Sequence, residues 1–310
     1  MEMLELLQFA IPGFVVAILA ELAWMKWRGG VAYDLRDSTA SLTMGLGNLV
    51  DGALLALALY ALFGWLYGFR LVDWGPATWW TLPLAIVIQD FCFYWSHRLS
   101  HEWRLWWAAH VNHHSSQHYN LSTALRQPWT GFFALSWLPY ALMPLVGIPV
   151  EVIATAHGVS LAYQFWIHTE AIDKLPRWFE AVFNTPSQHR VHHATNPRYL
   201  DRNYAGTLMI WDRLFGTYQA ELAEDPPRYG IIKNLGTFNP VKIAFHEWVG
   251  IFKDLRTART WRGRFMALFG PPGWREDGTG STSATIRAAW QARQVGGAIR
   301  DKGALPQAAE

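Results

Sequence analysis

The stretch WSHRLSHEWRLWWAAHVNHH, residues 95–114, and the later stretch QHRVHH, residues 188–193, decide the fold of this chain. They hold eight of its twelve histidines, in the clusters His97-x-x-x-His101, His110-x-x-His113-His114 and His189-x-x-His192-His193. Residues three or four apart share a helix face, so each cluster can offer two imidazoles to one ion. Adjacent helical residues point ~100° apart, so an H-x-x-H-H cluster can serve two ions. The spacing therefore predicts helices that carry a site for more than one metal.

The simpler interpretation is that each histidine is a hydrogen-bonded structural residue, which is the usual role of one histidine beside an apolar helix. Three clusters in 310 residues favour metal binding, because neutral imidazole is a common metal ligand. The single cysteine, Cys92, excludes an internal disulfide or a thiolate cluster and leaves nitrogen ligands. We interpret His118, His157 and His246 as structural or surface residues.

The composition indicates an integral membrane protein. Hydrophobic residues make up 51% of the chain and charged residues 16%, against roughly 25% charged residues in soluble domains. Apolar runs occupy residues 4–27, 42–69, 79–95, 130–150 and 152–167. The first is long enough to cross ~30 Å of hydrocarbon and lacks a small-residue cleavage pattern, so we expect an anchor rather than a signal peptide. The last two form a pair that is split at Gly147 and Pro149, near the end of the first of them. The pair predicts a hairpin of two helices, the second short enough to be re-entrant.

Tryptophans and basic residues indicate how these runs would sit in a membrane. Many of the nineteen tryptophans lie near run ends, as in an aromatic belt. Lys26, Arg28 and Arg36 follow the first run, so the positive-inside rule places the N-terminus outside and residues 28–38 in the cytosol. Alternation then places residues 96–128 and everything after 170 on the cytosolic side. All three histidine clusters would share that face. The net charge of +2 gives no indication of nucleic-acid binding, and the basic residues fit contacts with lipid headgroups.

The predicted fold is all-α, an integral membrane helical bundle with a cytosolic, histidine-rich di-metal cap. We expect membrane-anchoring helices in residues 1–78, a catalytic domain in 79–220 and a cytosolic or interfacial segment with a tail in 221–310. Residues 196–218 predict either a cap over the metals or ordinary surface packing. Residues 245–268 fit an interfacial helix. The tail after Pro272, with its GTGSTSAT run, is expected to be at least partly flexible.

The three clusters resemble those of the fatty acid hydroxylase and sterol desaturase superfamily of membrane di-metal enzymes. The longer strings in residues 95–127, 163–170 and 184–218, including NLSTALRQ and YQFWIHTE, are similar to its alkylglycerol monooxygenase branch. The resemblance implies a di-iron centre, with O₂ as co-substrate and tetrahydrobiopterin as a candidate reductant. The ether-linked carbon of an alkylglycerol lipid would be hydroxylated, and the hemiacetal would break down to a fatty aldehyde and a glycerol derivative. Other branches hydroxylate or desaturate acyl, sterol or carotenoid substrates with electrons from another donor.

The chemistry of the residues supports this class independently. Oxidising an unactivated C–H bond with O₂ needs a redox metal, which excludes zinc alone, although imidazole by itself does not specify the metal. Two ions with four or five ligands each need about eight to ten nitrogens. The clusters supply eight, and His168, at the end of an apolar run, is the candidate ninth ligand.

Metal-bound imidazoles need partners that fix their orientation. Glu102 is the foremost candidate because it adjoins His101, and it could also deliver a proton; alternatively it is a solvated carboxylate at a helix end. Other polar residues near the clusters in sequence are Gln89, Asp90, Asn112, Asn120, Gln188, Asn203 and Asp212.

The residue pattern bears on three classes of function. A lipid monooxygenase would take its substrate from the bilayer, through a tunnel lined by residues 79–95 and 130–167. A desaturase or hydroxylase of acyl, sterol or carotenoid substrates would need the same metals and an electron-donor protein instead of pterin. A metal transporter needs ligands along a path through the membrane, and a haem carrier needs single facing histidines; the clustering at one face disfavours both.

Overall fold

The computed structural model describes residues 3–29, 33–74 and 78–303. The described chain is helical, with isolated β-bridges pairing Phe183 with Leu208 and Ala194 with Tyr229, so the predicted all-α class is confirmed. The N-terminal helices are α1 (Met3–Trp27), α2 (Leu35–Tyr67), α3 (Thr81–Glu102), α4 (Arg104–His114), α5 (Leu142–Leu145) and α6 (Val150–Trp166). The later helices are α7 (Arg177–Val182), α8 (Pro186–His192), α9 (Ile210–Leu214), α10 (Pro240–Thr257), α11 (Trp261–Phe269) and α12 (Ser283–Gly303). Short 3₁₀ helices form at Leu121–Leu125 and Leu138–Ala141.

Helix α3 lies at the centre of the fold and contacts both α6 and α4. The helix does not end with the apolar run at residue 95 but continues through His97 and His101 to Glu102. The chain becomes extended at Trp103, and α4 begins at the next residue. Ala85 and Cys92 of α3 pack with Phe63 of α2 and Ile153 of α6 in the largest apolar cluster. Burial of side chains such as Ile153 stabilises the fold by roughly 1.5–3 kcal/mol each.

The predicted hairpin of two helices at residues 130–167 is wrong in its first half. Residues 130–137 form turns, followed by the 3₁₀ helix and the four residues of α5; only the second half forms a long helix, α6. Pro139 and Pro144 account for this, because proline lacks the N–H that an α-helix needs. The break between the halves requires Gly147, whose φ is +94° and whose Cα hydrogen faces the Val72 carbonyl, 2.1 Å from where a Cβ would lie.

Among the described residues, Ala10–Trp27 of α1 is long and apolar enough to cross a membrane. The two parts of α2, Leu35–Ala53 and Leu55–Tyr67, meet that condition together and are bent by 45°. The predicted runs at 79–95 and 152–167 fall largely in α3 and α6, and neither helix is both long and apolar enough to cross a membrane. In α3 the physical reason is its buried polar face, which includes Gln89, Asp90 and the histidines.

The C-terminal part differs from one expectation. The interfacial helix expected at residues 245–268 is two helices, α10 and α11, separated at residues 258–260. In the tail after Pro272, α12 occupies Ser283–Gly303, residues 304–310 lie outside the described part, and the expected partial flexibility stays a prediction. The predicted domain limits at residues 78 and 220 stay predictions.

Candidate metal centre

The structure brings all nine histidines of the predicted ligand set into two groups. Site A consists of His97, His101, His110, His114 and His192, and site B of His113, His168, His189 and His193. Within each group the nearest imidazole nitrogens all lie within 4.8 Å of one another. Eight of the nine side chains are buried and His110 is partly buried. His118, His157 and His246 are in neither group, as predicted.

Helical geometry explains how the clusters divide. On α4, His110 and His114 are four residues apart and face site A, whereas His113 faces site B. At the end of α8, His192 faces site A while His189 and His193, again four apart, face site B. Adjacent pairs thus point into different sites, as the ~100° rotation per residue requires. The two sites share α4 and α8 as common walls.

In site B, two unprotonated histidine nitrogens face each other, an arrangement that is unfavourable unless a cation lies between them. In site B, the Nδ1 of His168 donates to the Gln164 carbonyl at 2.7 Å and that of His113 to the Arg126 carbonyl at 3.3 Å. Their Nε2 atoms are then unprotonated, yet they lie 3.1 Å apart and present lone pairs to each other. Nitrogens ~2.1 Å from one ion and at right angles around it are ~3.0 Å apart. The spacing therefore fits two ligands of one metal ion.

In site A, too, main-chain carbonyls hold imidazoles with their Nε2 atoms directed inward. The Nδ1 of His97 donates to the Tyr204 carbonyl at 2.8 Å and that of His192 to the Arg202 carbonyl at 3.0 Å. The Nε2 of His110 lies 3.0 Å from those of His97 and His114. In addition, the buried Nε2 atoms of His101 in site A and His193 in site B have no hydrogen-bond partner among the described residues. Orphaned buried nitrogens of this kind are the donor atoms that a metal would satisfy.

Burial keeps the imidazoles of His97, His168 and six of their neighbours neutral. It lowers the pKa of His97 to about 3, with a further contribution from His101, and the pKa of His168 to about 4. It also lowers the pKa values of the other buried imidazoles well below the ordinary value, and the neighbouring imidazoles lower them further; these are His110, His113, His114, His189, His192 and His193. Neutral imidazole is the form that binds metal.

A loop from residue 203 to 208 covers site A and supplies the carbonyl for His97. The Asp212 carboxylate accepts the main-chain N–H groups of Tyr204 at 2.8 Å and Ala205 at 2.7 Å. Asp90 of α3 accepts those of Thr207 at 2.7 Å and Leu208 at 2.9 Å. Of the two interpretations of residues 196–218, the cap over the site is therefore the one that the structure supports, and Asp90 and Asp212 act on the loop rather than on an imidazole.

Aromatic rings enclose the two sites. The ring centroid of Tyr204 lies 5.4 Å from that of His101, and the centroid of Trp107 lies 5.1 Å from it on another side. The ring of Tyr119 lies 5.2 Å from His193 in site B, and its hydroxyl donates to the Ile167 carbonyl at 2.9 Å. These rings place apolar surface around the imidazoles and exclude water from them.

Glu102 lies at the end of α3 and pairs with Arg98, with 2.8 Å between Oε1 and Nε and 41% of its side chain exposed. The imidazole partners on the described residues are main-chain carbonyls instead, and the carboxylate nearest His101 is that of Asp201, 3.7 Å from its Nδ1. The arrangement fits a solvated carboxylate at a helix end. A catalytic role for Glu102 stays a prediction.

Two buried acids, Asp37 and Glu21, bind segments that surround the sites. The sequence analysis did not assign either acid to the site. Asp37 of α2 pairs with Arg126 at 2.7 Å, and the Arg126 carbonyl is the one that accepts from His113. Glu21 of α1 accepts from the main-chain N–H of Leu121 at 2.8 Å and from the hydroxyl of Thr169, which follows His168. The signal available for Glu21 was a charge inside an apolar run, a pattern that usually marks a functional or buried pair.

Comparison with known proteins connects these sites to a family. Residues 82–217 match the fatty acid hydroxylase family model, and they contain all nine clustered histidines. The chain is 37% identical to the human alkylglycerol monooxygenase over 279 residues, covering 88% of this chain and 61% of that protein. It is 38% identical to the Danio rerio alkylglycerol monooxygenase, covering 86% and 59%. It is also 31% identical to the ornithine lipid hydroxylase OlsE of Rhizobium tropici over 47% of this chain and 42% of that protein.

The chain spans about three fifths of the length of the human and fish relatives. No solved structure matches it.

Proposed function

The domain at residues 82–217 belongs to the fatty acid hydroxylase family, and we propose that the protein is a membrane-bound di-iron monooxygenase that hydroxylates a lipid C–H bond with O₂. The observation that carries this proposal is the pair of adjoining sites, five and four imidazoles, divided by the adjacent pairs His113–His114 and His192–His193. Imidazole nitrogens without thiolates suit iron, and zinc lacks the redox chemistry that C–H oxidation needs.

We further propose that the substrate is an alkylglycerol lipid, oxidised at its ether-linked carbon. The support is the similarity to alkylglycerol monooxygenases over most of this chain. One oxygen atom of O₂ would enter the C–H bond and the other would leave as water, with two electrons and two protons from a reductant such as tetrahydrobiopterin. The resulting hemiacetal would lose its C–O bond and give a fatty aldehyde and a glycerol derivative.

In this mechanism the chain would bind the iron, orient the imidazoles and shield the sites from water. Iron bound at the two sites would supply the activation of O₂. The neutral imidazoles direct their Nε2 lone pairs inward, because the carbonyls of Gln164, Arg126 and Tyr204 hold the Nδ1 protons on the outside. The Tyr204, Tyr119 and Trp107 rings exclude water, which protects a reactive oxidant from side reactions.

For the location we propose an integral membrane protein with more than one span and with the histidine face in the cytosol. The apolar segment Ala10–Trp27 and the bent helix α2 support the spans. The basic residues that follow α1 support the orientation. The lipid would come from the bilayer, and an electron-donor protein would be needed if pterin is not used.

The second candidate is hydroxylation or desaturation of an acyl, sterol or carotenoid substrate with a different electron donor. The similarity to OlsE, whose name states hydroxylation of ornithine lipid, favours this alternative.

The deciding experiment uses purified, iron-loaded protein in lipid nanodiscs with an alkylglycerol, O₂ and tetrahydrobiopterin. Fatty aldehyde is measured by mass spectrometry and iron by elemental analysis. We expect aldehyde from the wild type and from His118→Ala, whose imidazole lies outside both sites, and none from His192→Ala. Two irons bound but no aldehyde would reject the ether-lipid substrate and favour the second candidate. Turnover without bound metal would reject the metal centre itself.

A further inference from the structure

Helix α10 has two apolar faces, and the rest of the described chain covers one of them. Ile243, Ala244 and Ile251 are buried against the protein. On the other side a stripe is exposed, with Val241 at 55%, Phe245 at 42%, Val249 at 65% and Phe252 at 63%. The spacing of four, four and three residues places the stripe on one helix face. A surface helix normally turns polar residues outward, so this face indicates a second partner.

The charges of α10 are divided between the same two sides. Its acids turn inward, where Glu247 and Asp254 accept from Arg104 of α4 at 2.6 Å and 2.5 Å. Its exposed basic residues are Lys242, Lys253 and Arg256. Lys242 and Lys253 directly follow Val241 and Phe252 of the stripe in sequence, and Arg256 lies one helical turn after Phe252. An apolar stripe flanked by lysines is the composition of a helix that lies in the surface of a bilayer with anionic lipids.

The position of α10 in the fold also favours contact with a bilayer surface. Its Ile243 and Ala244 form one apolar cluster with Ala40 and Met44, in the first turns of α2. Beside that cluster, α2 exposes Leu42 and Leu46. If α2 enters the bilayer, as proposed above, α10 lies beside its point of entry. Helix α11, which packs on α10, exposes Trp261, a residue type enriched at membrane surfaces.

We propose that the α10 stripe, Val241, Phe245, Val249 and Phe252, docks on the surface of a lipid bilayer that contains anionic headgroups. Because Arg104 ties the opposite face of α10 to the start of α4, docking holds the helix that carries His110, His113 and His114 at the membrane surface. This places the candidate metal centre at a fixed depth relative to the lipid. The inference rests on the proposed membrane insertion of α2 but not on the reaction.

The single buried cysteine makes a direct test practical. In a Cys92→Ala background, Phe245→Cys and Phe252→Cys are each labelled with a polarity-sensitive fluorophore, and the full-length protein is reconstituted in phosphatidylcholine–phosphatidylglycerol nanodiscs. Quenching by lipids with a nitroxide on the acyl chain is measured at each position. Ala223→Cys, at an exposed alanine in a loop, is the matched control. We expect quenching at 245 and 252 to exceed that at 223 by about threefold, because a docked stripe lies at the acyl boundary.

Equal quenching at all three positions would overturn the proposal. A blue-shifted label that lipid nitroxides do not quench would also overturn it, since a protein partner or a second copy of the chain would then cover the stripe. A second variant tests the charge component, with Lys242→Gln and Lys253→Gln combined in the Phe252→Cys protein. We expect it to reduce the quenching in discs with phosphatidylglycerol and to change little in discs without it. None of these readouts depends on turnover, so an inactive protein would leave the test valid.

Discussion

At the residue scale, the orientation of the imidazoles depends on main-chain carbonyls rather than on carboxylates. Gln164, Arg126, Tyr204 and Arg202 each provide a carbonyl within 3.3 Å of a histidine Nδ1. A carbonyl can only accept, so it selects the tautomer that leaves Nε2 free to bind metal. Because a carbonyl is uncharged, it adds no negative charge next to the imidazoles, as a carboxylate would.

The division of adjacent histidines gives the first prediction. His113→Ala removes a nitrogen from site B and His114→Ala removes one from site A, so we expect each variant to lose about one ion per chain and at least ~10-fold in turnover. Elemental analysis and aldehyde formation are the measurements. His118→Ala should retain both metals, and equal metal loss in that variant would contradict the ligand assignment.

The second prediction concerns pH and the metal-free protein. Burial lowers the pKa of His168 to about 4, so between pH 4 and about 6.5 the unfolded chain binds a proton that the folded chain does not. Stability is therefore full above about pH 6.5 and falls as the pH drops toward 4, by about 3 kcal/mol for this residue. The free energy of unfolding in denaturant at pH 7.5 and pH 5.0 measures this. In His168→Gln the free energy of unfolding should depend less on pH. An unchanged pH dependence would contradict the contribution of His168.

At the element scale, short segments hold the helices in register around the centre. The NLSTALRQ string is one of them: Asn120 caps the 3₁₀ helix Leu121–Leu125, and Arg126 reaches Asp37 of α2. The loop that ends at Leu208 is another, because Asp90 of α3 accepts its N–H groups. The first segment links α2 to the Arg126 carbonyl, which accepts a hydrogen bond from His113. The second links α3 to the loop that contains the Tyr204 carbonyl, which accepts one from His97.

The third prediction tests the Asp37–Arg126 pair, whose side chains are 3% and 2% exposed. Asp37→Ala leaves a buried guanidinium without its counter-charge, so we expect a loss of about 3–5 kcal/mol in the free energy of unfolding. Asp37→Leu combined with Arg126→Met should recover a large part of it, because it removes both charges. Chemical denaturation is the measurement. Equal losses in the single and double variants would show that the pair's charge is not the cause.

The fourth prediction tests the loop over site A. A Cβ at residue 206 would lie 2.8 Å from the Phe93 ring and 3.0 Å from Asp90, so Gly206→Ala must displace the loop that supplies the Tyr204 carbonyl. We expect at least ~10-fold lower affinity for metal, as for loss of a group that orients a ligand. Gly52→Ala, where a Cβ meets nothing within 4 Å, is the control. Unchanged affinity in Gly206→Ala, measured by competition with a chelator, would contradict the role of the loop.

At the scale of the whole molecule, the centre lies where several helices converge, with α1 and α2 attached to one side. Glu21 joins α1 to Thr169, and Asp37 joins α2 to the segment that holds His113. The proposed spans are therefore tied to the sites through buried polar contacts. Such contacts would transmit the position of the membrane to the histidines.

The fifth prediction concerns orientation. In a Cys92→Ala background, Leu71→Cys, at a position 83% exposed after α2, should react with a membrane-impermeant maleimide in intact cells. Ala223→Cys should react only in inverted vesicles, because the positive-inside rule places the histidine side in the cytosol. Labelling of both positions from the same side would reject this topology.

The sequence by itself determined the all-α class, the eight histidines in three clusters and the ability of each H-x-x-H-H cluster to serve two ions. These follow from local geometry: a helix rotates ~100° per residue, so spacing alone assigns neighbouring histidines to faces. Only the tertiary structure decided which groups position the histidines. These are the carbonyl of Tyr204, the Asp37–Arg126 pair and the contact of Glu21 with Thr169. These partners are 89 or more residues apart, and pairing at such separations depends on how the helices pack. Residues 130–150 differ from the prediction for a local reason: their apolar run predicted a helix, but its prolines and Gly147 break it into turns and short helices.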